Sequence, residues 1–176
     1  MESSHLMKMI AEKNSIGGNY FHEVASSGCV DLLRRVTPYI NDSHQYLLRA
    51  VDDRGYQCVN IAAEKHEAQL AIEIIQHLIS LGADINAQNM LNGDTMLHTA
   101  AHRRNHDLAR WLCRQPNINV HFINLDNKTP YEVAIDNEDV AMMSILREIV
   151  ATSRGFSNQW TVIVPGRKLA TNTYEM

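Results

Sequence analysis

Cysteine is scarce in these 176 residues: Cys29, Cys58 and Cys113 lie far apart, are odd in number and show no C-x-x-C spacing. That excludes a disulfide framework and a cysteine-rich zinc site, and it fits a reducing compartment. Basic charge is short as well. Sixteen Lys and Arg against twenty Asp and Glu leave a net charge of −4, so no cationic excess exists for direct binding of nucleic acid through its phosphates. No apolar run approaches the ~20 residues of a membrane span. The opening stretch MESSHLMKMIA lacks the sustained apolar segment of a signal peptide, so cytosol or nucleus is expected, and secretion is not. G-x-S-x-G, a phosphate-binding glycine loop and a dinucleotide fingerprint are all missing. Neither catalysis nor a cofactor is expected.

What is present is repetition. Four segments align: NYFHEVA at 19–25, QCVNIAA at 57–63, TMLHTAA at 95–101 and TPYEVAI at 129–135, with spacings of 38, 38 and 34. Two residues before each stands Gly17, Gly55, Gly93 or Asn127, types that accept the left-handed backbone of a tight turn. Apolar runs at helical spacing follow: Ile72, Ile74, Ile75, Leu78 and Ile79, then Leu108, Trp111 and Leu112, then Val140, Met142, Met143, Ile145 and Leu146. With 45% hydrophobic residues, such helix pairs fill a core only by stacking on one another.

The pattern G-x-T-x-L-H-x-A-A at 93–101, and LGADIN at 81–86 closing the unit before it, resemble ankyrin repeats. The fourth unit keeps Thr129, Pro130 and Ala134, while the first two are degenerate. The fold expected is an all-α ankyrin-repeat solenoid of about four helix pairs with projecting inter-repeat loops. Its array spans 17–150, with repeats near 17–50, 53–87, 91–124 and 127–150, an N-terminal cap or tail at 1–16 and a C-terminal tail at 151–176. Thr95 and Thr129 suit helix N-caps, and Pro130 the first turn. Ala62, Ala100 and Ala134 are small where helices approach closely, and Gly82 is the left-handed stop of a second helix. The units exceed the usual ankyrin length, with four extra residues near 64–70 and another between 86 and 93. Irregular loops are expected there.

His98, His102 and His106 recur at four-residue intervals, which could set three imidazoles on one face for a metal. Thr99 stands where a zinc hydrolase would carry its glutamate, and in the ankyrin reading His98 bonds backbone between repeats, with His22 in the same slot of the first unit. The structural reading is preferred. All three cysteines adjoin apolar helical pattern and read as buried thiols, and Trp111 reads as core.

Two inter-repeat loops carry apolar residues that folding explains poorly. Candidate partner contacts are Asn89, Met90, Leu91 and Asn92 in the first, and Phe122, Leu125 and Asp126 in the second. Packing back against the hairpin is the alternative, favoured for Phe122 and Ile123.

A narrower resemblance is to the IκB-like ankyrin proteins of polydnaviruses, the bracoviruses that accompany parasitoid wasps into insect hosts. It rests on the compact array, the long units and GDTMLHTA at 93–100. It implies an inhibitor of host Rel/NF-κB transcription factors that suppresses the immune response. Full IκB proteins carry a D-S-G-x-x-S phosphodegron and an acidic tail. Here no such run occurs, and 151–176 holds one acid, Glu175, against Arg154, Arg167 and Lys168. The resemblance thus implies an inhibitor neither released nor degraded on signal. A general ankyrin adaptor with a different partner is the alternative. The apolar stretch 160–164 reads as strand-like and as a cap over the last repeat.

Overall fold

The computed structural model describes residues 2–153, with the side chains of 5–148; the stretch 160–164 and the rest of 154–176 lie outside the described residues. Among the described residues there are ten α-helices and no strand. After α1 (Glu2–Ala11), four pairs follow: α2 (Tyr20–Ser27) with α3 (Val30–Val36), α5 (Cys58–Lys65) with α6 (Ala68–Ser80), α7 (Met96–His102) with α8 (His106–Cys113), and α9 (Pro130–Asp136) with α10 (Val140–Ser153). The first helices stack in one column, α2 on α5 on α7 on α9, and the second helices in another, α3 on α6 on α8 on α10. α1 lies against α2 and buries Ile10.

The alanines explain the close stacking. Ala62, Ala100 and Ala134 occupy the same place in three of the first helices, where α2 carries Val24, and all four residues are buried. One apolar core runs the length of the array through Phe21, Leu33, Val59, Ile74, Leu78, Leu97, Leu108, Leu112, Val133 and Met142. Each such large side chain contributes about 1.5–3 kcal/mol relative to exposure, and most of that burial is inter-helical.

The two helices of a pair are joined by a tight turn with a left-handed residue: Gly28 (φ 77°), Ala68 (φ 46°), Arg104 (φ 54°) and Glu138 (φ 52°). In the last two pairs the following residue closes the turn. Asn105 and Asp139 donate their N–H to the carbonyls of Ala100 and Ala134 and accept from Leu108 N and Met142 N through their side chains. Those bonds cap the second helix.

The extra length differs in form from the irregular loops expected. In the second unit it lengthens α6 to 13 residues, whose apolar face buries Ala71, Ile72, Ile74, Ile75 and Leu78; a helix satisfies its own backbone where a loop would not. In the first unit, residues 37–48 form two 3₁₀ turns and the short α4 (Gln45–Leu48), which buries Leu47 and Leu48. Gly82 is left-handed (φ 105°) directly after α6, as expected.

Candidate protein-binding surface

Each first helix is preceded by a hairpin-like turn, and the four turns share one construction. Asn14, Asp52, Asn89 and Asn124 open them, each donating its N–H to the carbonyl that closes the turn, on Gly18, Tyr56, Asp94 and Lys128. The same four side chains hold the turn from inside. Asn14 Oδ1 accepts from Ile16 N and Gly18 N, Asp52 Oδ1 from Arg54 N and Tyr56 N, Asn89 Oδ1 from Leu91 N and Asn92 N, and Asn124 Oδ1 from Asp126 N and Lys128 N. These are Asx turns. The left-handed residues fall where the sequence placed them: Gly17, Gly55, Gly93 and Asn127, with φ of 71°, 82°, 74° and 58°.

One backbone hydrogen bond ties each turn to the next: Asp53 N to Ile16 O, Met90 N to Gly55 O and Leu125 N to Asn92 O, at 3.0, 2.8 and 2.8 Å. The turns therefore form a row at one edge of the array. Gly55 has a second reason to be glycine, because a Cβ there would meet Met90 Cβ at 2.7 Å.

The row presents apolar side chains to solvent. Met90 is 71% exposed, Leu91 64% and Leu125 74%. Asn92 is half-buried and Asp126 exposed. Asn89 is buried and serves the turn from inside, and Phe122 is half-buried. Ile123, expected to pack, is instead 51% exposed. The reason is alternation along an extended segment: Asn124 points inward to Asp94, with Nδ2 donating to Oδ1 at 2.8 Å, so its predecessor points out.

The histidines bond separate partners. His98 is fully buried; its Nδ1 accepts from Thr95 N at 3.1 Å and its Nε2 donates to Lys128 O at 2.9 Å. Thr95 therefore caps α7 jointly with that ring, its hydroxyl 2.9 Å from Nδ1, whereas Thr129 Oγ1 accepts directly from Glu132 N. His22 makes the same bridge from Asn19 N to Tyr56 O. In the second unit Asn60 replaces it, from Gln57 N to Ala87 O. His102 faces Asp94 at 3.5 Å, and His106 pairs with Asp139 at 2.8 Å. Among the described residues no group of three or more His, Cys, Asp or Glu is placed to hold a metal. Burial holds both His22 and His98 below the ordinary imidazole range, against the opposing pull of Asp52 and Asp94 respectively.

Cys58 and Cys113 are buried, and burial pushes both thiols up to about 12. Cys29 differs from the expectation: it immediately precedes α3, its backbone (φ −83°, ψ 87°) has not yet entered the helix, and it is exposed. Trp111 is half-buried against the core. No helix among the described residues is long and apolar enough to cross a membrane.

Stacked helix pairs carrying a row of ordered turns with exposed apolar tips define an ankyrin-repeat binding module. The family profile for ankyrin repeats (three copies) matches residues 59–153. Among known proteins the chain is similar to three from Microplitis demolitor bracovirus (isolate Webb). I-Kappa-B like protein H1 is 37% identical over 148 residues, 84% of this chain and 77% of that protein. I-Kappa-B like protein I1 is 39% identical over 131 residues, 74% and 78%, and I-Kappa-B like protein C2 is 35% identical over 135 residues, 77% and 74%. The chain belongs to the ankyrin-repeat family of bracovirus I-Kappa-B like proteins, and its role is protein binding of an IκB-like kind.

Proposed function

We propose that the chain binds Rel/NF-κB transcription factors of an insect host through the exposed tips of its turns and thereby suppresses the immune response. The observation that carries this reading is the exposure of Met90, Leu91 and Leu125 on turns that hydrogen bonds hold rigid. A preordered apolar row binds without the entropic cost of ordering a loop. Asn92, Phe122 and Asp126 lie beside these residues and complete the contact, and Asn89 keeps the first loop in shape. The relatives' I-Kappa-B like names support the choice of partner.

Charge fits the same partner. The fourth unit and the turn that leads into it expose Asp126, Glu132 and Glu138 besides Asp136, which pairs with Lys128, and this complements a basic DNA-binding protein and speeds encounter. Binding then acts by mass action, holding the factor with its DNA-contacting surface covered. The sequence carries no D-S-G-x-x-S run, so the complex persists when the cell's own IκB is destroyed. In this reading residues 17–150 form the binding array, 1–16 its cap and 151–176 a tail, and the protein acts in the cytosol or nucleus of the host cell without catalysis.

The test is co-precipitation with a Rel factor from immune-stimulated insect cells, joined to a κB-site DNA-binding assay. Capture of the factor, loss of its DNA binding and a constant level of this protein after stimulation are expected. A Rel factor that still binds κB DNA in its presence would leave the general adaptor reading.

A further inference from the structure

The angle between the second turn and the first helices holds a cleft of about 310 Å³, lined by Arg54, Tyr56, Ile61, Glu64, Lys65 and Arg103. That volume sits at the low end for ligand sites. Three cations against one carboxylate line it, on a chain whose net charge is −4 and whose fourth unit is acidic on its exposed side. We propose that this cleft takes an anionic side chain, a carboxylate or a phosphate, presented by the protein bound along the turns.

The argument rests on which donors remain open. Asp52 is buried, and both its oxygens are engaged: Oδ1 by Arg54 N and Tyr56 N, Oδ2 by Arg54 Nε and Nη2 at 3.0 and 2.8 Å. Burial pushes the Asp52 carboxyl up, but these hydrogen bonds outweigh it and keep the group ionised well into acid. It anchors the guanidinium and offers nothing to the cleft. Arg54 lies 5.3 Å from the centroid of the Tyr56 ring, a cation–π contact that fixes it from the other side. Its Nη1 has no hydrogen-bond partner among the described residues. Arg103 reaches Glu67 through Nη2 alone, and the Glu67 side chain is 73% exposed and outside the lining. A solvated pair of that kind is readily displaced by an incoming anion. The Lys65 ammonium has no hydrogen-bond or ion-pair partner among the described residues.

Open N–H donors on a preordered arginine, beside a second arginine and a lysine, match the planar oxygens of a carboxylate or phosphate. Tyr56 and the buried Ile61 give the stem of such a side chain an apolar floor. The cleft lies between the second and third units, beside the turn whose Gly55 carbonyl accepts from Met90 N. A partner lying on the tips of the turns therefore passes within reach of the cleft. This inference rests on the protein-binding reading but not on the partner's being a Rel factor.

The test titrates the full ¹⁵N-labelled chain with capped glutamate, capped phosphotyrosine and capped lysine while amide signals are followed. Signals of Gly55, Tyr56, Lys65 and Arg103 should shift saturably with an anion, at millimolar affinity, and stay still with lysine. The tighter of the two anions names the source of the group. Lys65→Glu with Arg103→Glu should weaken binding about tenfold or more without changing signal dispersion, whereas Arg110→Glu, exposed on α8, should leave it unchanged. Saturation by neither anion, equal shifts with lysine, or undiminished binding by the double variant overturns the proposal. No Rel factor is in the tube, so the cleft and the proposed partner can fail independently.

Discussion

Replacing His22 and His98 together by asparagine should flatten the acid side of the stability curve. Both rings bridge neighbouring units in the neutral form, with Nδ1 accepting from the backbone N–H of Asn19 or Thr95 and Nε2 donating to Tyr56 or Lys128. A proton on Nδ1 destroys that acceptor, and burial lowers both folded pKa values. The unfolded chain, with imidazoles near 6.5, therefore binds protons that the folded chain refuses. Stability is complete above about pH 6.5 and falls as the pH drops below it, by at most about 1.4 kcal/mol per pH unit for each ring. Asn60 shows that asparagine accepts from the N-cap N–H at 3.2 Å and reaches a carbonyl before the next unit, that of Ala87, at 2.9 Å, and it carries no titrating proton. The smaller side chain leaves space worth about 1–2 kcal/mol per site, a loss that does not depend on pH. Urea unfolding followed by circular dichroism at pH 7.5 and 5.5 separates the two effects. The double variant should start lower at pH 7.5 yet lose about 1–2 kcal/mol less than the parent on acidification. A double variant as pH-sensitive as the parent would refute the assignment of neutral bridging rings.

Asn124→Ala removes two hydrogen bonds to backbone and one to Asp94 and should cost about 2–4 kcal/mol by chemical denaturation. Ala100→Leu places a larger side chain in a fully buried helix contact and should cost about 1–3 kcal/mol in the same measurement. In native protein one thiol, Cys29, should alkylate readily, while Cys58 and Cys113, with thiols held up at about 12, should react only on unfolding, which peptide mapping after iodoacetamide treatment reads directly.

The unit register was readable from composition at a few positions, because the physics there tolerates few residue types. A left-handed turn residue two places before the helix cap recurs in all four units, and a small residue at the helix crossing in three, even where Thr-Pro-Leu-His does not. Asn14, Asp52, Asn89 and Asn124 were not singled out as anchors, since Asn and Asp mark any turn; their spacing of five or six residues before the helix cap is the signal that could have found them. Asn60 was harder still, because its equivalence to His98 is one of hydrogen-bond reach and not of side-chain class. The exposed tips were legible as apolar residues in loops, but the outward face of Ile123 depends on Asn124 bonding Asp94 across two turns. The cleft lies deeper than any one-dimensional pattern, since Arg54, Lys65 and Arg103 come from three separate elements.

The most direct measurement is an equilibrium titration of a purified insect Rel DNA-binding region with the intact chain and with Met90→Asp/Leu91→Asp. Both residues are exposed, so the variant should keep its melting temperature, and a carboxylate forced into an apolar contact should weaken binding by several kcal/mol. Tight saturable binding of the parent and its collapse in the folded variant is the predicted result. A parent chain that fails to bind at micromolar concentration contradicts the account.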